Sequence, residues 1–306
     1  MTPARAGLAL GLCVLAATAA AAPPTTGVGA PGKPAQDSCT TCHAGLGDAR
    51  LRAPAVAADD VHRRQGITCA GCHGGDPRAA DPGAAMDPGR GFKGRFAPAA
   101  VPELCGSCHA DPAFMRRYAP NVPTDQLAQY RTSRHGIRLA AGDPNVAVCT
   151  SCHGAHGVLP AADARAPVYP TRVVATCARC HADAALMRRY GRAGTEVADY
   201  QRSVHAAALT RQNDLSAPTC VSCHGAHGAT PPGVSSVANV CGSCHSTQRE
   251  RFDRSPHKDA FAAMKQPACE ACHGNHAVLR PADGWVGVGA GQVCAQCHAA
   301  GDGGAA

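Results

Sequence analysis

The stretch from Cys105 to His156 decides how this chain is read. It runs Cys105-Gly106-Ser107-Cys108-His109, then Ser133-Arg134-His135, then Cys149-Thr150-Ser151-Cys152-His153-Gly154-Ala155-His156. The same order returns downstream as Cys177, Cys180 and His181, then Ser203-Val204-His205, then Cys220, Cys223 and His224-Gly225-Ala226-His227. A third copy has Cys241, Cys244 and His245, then Ser255-Pro256-His257, then Cys269, Cys272 and His273-Gly274-Asn275-His276. Upstream lies a degenerate copy: Cys39, Cys42 and His43, then Val61-His62, then Cys69, Cys72 and His73-Gly74-Gly75-Asp76, with Asp76 where the others have histidine. A single motif, Cys294, Cys297 and His298, follows the last copy. Two copies share a segment, ADPAFMRRY at 110–118 and ADAALMRRY at 182–190. An aromatic residue, Tyr130, Tyr200 or Phe252, stands five before the Ser-x-His histidine.

The Cys-x-x-Cys-His motifs take every cysteine of the 19 except Cys13. This pattern attaches c-type haem: the thiols form thioethers to the porphyrin and the adjacent histidine reaches the iron. A disulfide framework gives no reason for histidine to follow every second cysteine. Structural zinc wants paired knuckles or histidines spaced three to five apart, not one touching each motif. Nine covalent haems c are therefore expected, with His43, His73, His109, His153, His181, His224, His245, His273 and His298 as proximal ligands.

The remaining histidines, His62, His135, His156, His205, His227, His257 and His276, all fall at repeat positions. Seven in register with haem motifs are expected as distal ligands, since two imidazoles give low-spin iron suited to electron transfer. Nine irons against seven spare histidines leave a shortage of two, placed by this reading in the first copy and at the ninth motif. Methionine is the other common sixth ligand. Met86, in the loop after the degenerate copy, is the candidate; Met115 and Met187 fit core packing equally well.

Composition agrees. Aromatics are 4% of the chain, against 34 glycines and 24 prolines, so there is little to fill a conventional core. The fold expected is mainly α with extensive irregular loops, short helices wrapped around a stack of covalent haems, and little or no β-sheet. Thr124 and Thr195 are expected to cap helices leading to the Ser-x-His sites, Pro112 to open a helix and Gly191 to stop one. Residues 76–98 read as a long loop and 299–306 as a frayed tail. Residues 1–22 read as a cleaved signal peptide, with Arg5 before an apolar run and small residues before Pro23, and Cys13 leaves with it. The organisation expected is a degenerate dihaem module and loop over 23–104, dihaem modules over 105–156, 157–227 and 228–276, and a single-haem segment over 277–306, all in one haem-packed domain.

The formal charge of +7 invites a nucleic-acid reading. Loss of Arg5 with the leader and about −1 per oxidised haem bring the mature protein to about −3, and to about −12 when reduced. Arginine and lysine then balance propionates, and no nucleic-acid surface is expected.

The chain resembles the bacterial multihaem c-type cytochromes with doubled Cys-x-x-Cys-His motifs, a class III-like family, through the CxxCHGxH and Ser-x-His elements quoted above. The resemblance implies a periplasmic electron carrier, not an enzyme, passing electrons between a membrane quinol-oxidising complex with a cytochrome b subunit and downstream acceptors. No apolar run after the leader approaches membrane length, so no transmembrane segment is expected, and the oligomeric state stays open. Asp76 and the lone ninth motif depart from the pattern. Two other classes stay open: a reductase with an open-site haem, and a subunit of an extracellular filament in which a neighbouring copy supplies the missing histidines. With haem as core, a chain whose motif cysteines are changed to alanine should show no cooperative unfolding transition in urea; a native-like transition would overturn this expectation.

Overall fold

The computed structural model describes residues 37–229, 237–280 and 290–298. The signal-peptide, frayed-tail and leader-cysteine expectations lie outside these residues. Among the described residues there are only short helices, turns and loops, with no strand. The longest helix, Pro170–His181, has twelve residues.

Local sequence sets these short elements. Pro112 opens the Pro112–Tyr118 helix, whose cap Asp111 accepts from Ala113 and Phe114 N–H. The Ala184–Arg188 helix is capped the same way by Asp183, and Gly191 follows it at φ +68°. Thr195 caps Glu196–Gln201, without a side-chain bond. The cap of Gln126–Thr132 is Asp125, one residue past Thr124, because Thr124 lies a step outside the turn. The expected loop over 76–98 carries helical turns at Pro82–Ala85 and Pro88–Arg90, each opened by an Asp cap followed by proline.

The Ser-x-His serine is a helix cap. Ser133 Oγ donates to the Tyr130 carbonyl and accepts from Gly136 N–H, which ends one helix and starts the next within a residue. Ser203 Oγ accepts from Ala206 N–H in the same way, and Ser255 Oγ donates to the Phe252 carbonyl. Each histidine therefore sits in the first turn of a helix at a fixed kink. The aromatic five residues earlier ties this kink to the next motif: Tyr130 Oη donates to the Ala147 carbonyl at 2.8 Å, and Tyr200 Oη to the Pro218 carbonyl at 2.9 Å. Phe252 cannot form this bond and packs on Phe261 instead.

In the degenerate copy Asp60 replaces the serine. Its carboxylate accepts from His62 and Arg63 N–H and, on its other oxygen, from Val158 N–H at 2.9 Å. Val61 N–H donates back to the Val158 carbonyl, so the first copy is stitched to the chain just past His156. Val204 N–H donates to the Val278 carbonyl at the equivalent place, just past His276. Two of the junctions are thus joined by backbone bonds that set the element bearing His62 or His205 against the Gly-x-His turn of the following copy.

The packed core is small. Its buried apolar residues are mostly alanines and valines, with Met115, Met187, Leu209 and Phe261 as the larger ones among the described residues. Leu51, Ile137, Leu215 and Leu279 stand about half exposed. A fold of this size held by so few large side chains needs another source of apolar surface.

Burial pushes the Asp60 carboxyl up, but bonds from the His62 side chain and the Val158 and His62 N–H groups outweigh it and hold it down at about 2. Asp60→Asn turns an amide toward the Val158 N–H and should destabilise the haem-loaded protein by about 1–3 kcal/mol at pH 7. Because the folded value lies below the unfolded value of about 3.9, that deficit should shrink as pH falls through this range toward 2. Urea unfolding of both proteins against pH checks it.

Candidate haem-ligating centres

Every motif histidine closes a short helix or turn. Cys69–His73, Cys149–His153 and Cys220–His224 are five-residue helices that each span one motif. Ser151 and Ser222 tighten two of them by accepting the N–H of the residue before the first cysteine. The glycine after the histidine takes positive φ at Gly74, Gly154, Gly225 and Gly274, between +68° and +82°, a region any other residue enters only with strain. That turn throws the next histidine but one back over the protein, which is the physical content of Gly-x-His.

The histidine rings meet in seven pairs. Each pair joins one motif histidine to one of the seven others: His62 with His109, His135 with His181, His205 with His245, His257 with His298, His156 with His73, His227 with His153, and His276 with His224. Their ring centres lie between 5.9 and 6.3 Å apart. Angles between the planes run from 9° to 88° over that narrow range. Rings that stack directly change separation with angle. Rings held about 2 Å from one shared metal ion, with the donor nitrogen about 1 Å from its ring centre, lie about 6 Å apart at any angle. The pairs therefore fit an iron between them.

No pair lies within a single copy. Each Ser-x-His histidine faces the first motif of the following copy, and each Gly-x-His histidine faces the second motif of the preceding copy. His62 and His156 cross between the first two copies and His135 and His227 between the next two, so neighbouring copies interlock in both directions. The pairs correct two expectations. His298 of the ninth motif is matched by His257 at 6.1 Å, because the hand-over runs forward from the third copy. The two motif histidines outside the seven pairs are His43, whose Nδ1 lies 3.3 Å from the Leu51 carbonyl, and His273, which has a partner of its own. The pairs also use every histidine outside the motifs, so a neighbouring copy has no spare histidine to lend, as the filament reading required.

Met86 is an exposed residue that ends the Pro82–Ala85 turn, and the nearby motif histidine, His73, already faces His156. Met115 and Met187 are buried in the core. Asp76, in the position of the missing histidine, accepts from Arg90 at 3.0 Å.

The described cysteines are all free thiols. The thiols of successive motifs adjoin in chain order. Thr40 Oγ1 lies 3.8 Å from Cys69 Sγ, and Asp37 accepts from both Thr40 and Cys69 N–H across motifs one and two. A shared hydrogen bond pushes Cys105 up and Cys149 down to about 7, and another splits Cys177 and Cys220 in the same directions. Burial first, then Cys269, pushes Cys241 up to about 11. Between copies the later cysteine of one motif meets the next motif: burial and then Cys108 raise Cys72, burial and then Cys177 raise Cys152, burial and then Cys244 raise Cys223, and burial and then Cys294 raise Cys272.

Burial pushes His109, His135, His153, His156, His181, His205, His224 and His227 below the usual imidazole value, His109 with a further contribution from His62. Neutral rings with available lone pairs are what a metal requires. Sequence reading missed Asp60 and the Tyr130 and Tyr200 hydroxyls, although an acid in register with the Ser-x-His serine and the recurrent aromatic were both visible in it.

No helix of the described residues is long and apolar enough to cross a membrane. No curated protein and no solved structure matches the chain. The family model for cytochrome c3 matches residues 61–190 and 216–299, more than half of the chain. With paired rings at the spacing an iron demands and thiols beside them, the chain belongs to the cytochrome c3 family, multihaem electron-transfer proteins with covalent haem c.

Proposed function

We propose that this protein holds nine haems c, conducts electrons along them in chain order, and works in the periplasm. The observation that carries this reading is the set of seven histidine pairs, each made of one motif histidine and one other at about 6 Å. Haem bound at these motifs supplies reversible one-electron chemistry at iron.

The residues supply the rest. Paired cysteines hold each macrocycle covalently. The paired imidazoles would hold the iron between them, keeping substrates off it and limiting structural change on electron transfer. Thiols that adjoin from one motif to the next support a single file of cofactors from Cys39 to Cys297. With about 31 residues for each haem, the file has no room for wide gaps. The electron donor fitting this carrier is a membrane quinol-oxidising complex with a cytochrome b subunit; the acceptors are other redox proteins. Ligation by the seven pairs leaves no substrate position at those irons, which favours a carrier over a reductase.

Intact mass of the exported protein should exceed that of the mature chain by nine haems; fewer would overturn the count. His205→Ala should leave that mass unchanged while turning one haem in nine high-spin and open to carbon monoxide, at the motif of His245. An unchanged low-spin spectrum would show that His205 is no ligand.

A further inference from the structure

Six of the seven histidine pairs sort into two kinds by the angle between their rings. Pairs built on a Gly-x-His turn are near parallel: 17° for His73 and His156, 9° for His153 and His227, 19° for His224 and His276. Three pairs built on a histidine in the first turn of a helix are crossed: 88° for His62 and His109, 65° for His135 and His181, 83° for His257 and His298. The fourth, His205 and His245, is tilted at 44°, between the two kinds. The sorting follows local backbone: one distal ring hangs from a glycine turn after a motif helix, the other is fixed at a capped kink. Parallel pairs serve second motifs and crossed pairs first motifs, so the two kinds alternate from His73 to His224.

Ring angle has an electronic consequence. The filled π orbital of an imidazole stands perpendicular to its plane and raises whichever iron dπ orbital it overlaps. Parallel rings raise the same orbital and split the pair. Crossed rings raise one each and leave the two nearly equal. A ferric ion with split dπ orbitals places its hole in the raised one and is stabilised, so its reduction is less favourable; axial ligation is one of the protein's principal controls on haem potential.

We propose that the histidine pairs of this chain impose two alternating electronic classes. The crossed pairs of His109, His181 and His298 accept electrons before the parallel pairs of His73, His153 and His224, with the tilted pair of His245 between them. The crossed sites then act as resting places for charge and the parallel sites as the steps between them. This rests on the axial ligation proposed above. The redox step is one electron per site, ferric to ferrous, drawn in the test from dithionite, which is oxidised to sulfite.

Low-temperature electron paramagnetic resonance of the oxidised, haem-loaded protein tests it. The expected spectrum has two low-spin sets: a rhombic one with all three g values resolved, from the parallel pairs, and a strongly anisotropic one with a single low-field feature, from the crossed pairs. Stepwise addition of dithionite should remove the anisotropic set first. His227→Met should reduce the rhombic set by about a third and His135→Met the anisotropic set by about a third. A low-spin spectrum with one set only, or loss of the rhombic set first, overturns the two classes while leaving the ligation intact. A mainly high-spin optical spectrum overturns the ligation, and the classes with it.

Discussion

The structure depends on one recurring interaction, two imidazoles from neighbouring repeats that face each other across about 6 Å. The spacing matches no direct ring contact of a fixed kind, since the planes meet at angles from 9° to 88°. It matches an ion shared between the rings. Each repeat gives one histidine forward to the next, and every repeat after the first gives one back, so no repeat completes its histidine pairs alone. Backbone bonds from Val61 to Val158 and from Val204 to Val278 hold the same junctions in place.

This constraint explains why so spare a polypeptide adopts a defined fold. The helices are short, the packed interior is largely alanine and valine, and several leucines and Ile137 stand half exposed. Short helices are marginal in isolation. Here they are pinned at caps and kinks: Ser133 and Ser203 at helix starts, Tyr130 and Tyr200 to the next motif, Asp60 to the following repeat. A covalently held macrocycle provides the apolar surface the side chains lack, and under the proposed ligation its iron would be the cross-link between repeats.

The fold class was legible in the sequence because the motifs and the scarcity of aromatic residues both point to short helices around haem. The same motifs mark the histidines that the structure brings together in pairs. Their pairing was not legible there. His153 meets His227 and His181 meets His135, partners that lie in different copies, and nothing in a local pattern says which copy supplies the ring. That is why the shortage of distal histidines was assigned to the ninth motif, when His257 reaches His298. Thr124 was read one residue early as a cap because Thr124 and Asp125 have nearly equal capping chemistry. Asp60 escaped notice because its carboxylate stands where the other copies have serine, doing the same work with an added bond to Val158.

The central claim is that the distal ligands cross between repeats. An experimental structure of the haem-loaded protein, at a resolution that shows axial ligands, tests it most directly. The account predicts His62 and His109 on one iron, His135 and His181 on another, and His227 opposite His153. Distal histidines bound within their own repeat, such as His62 opposite His43 or His73, would contradict it.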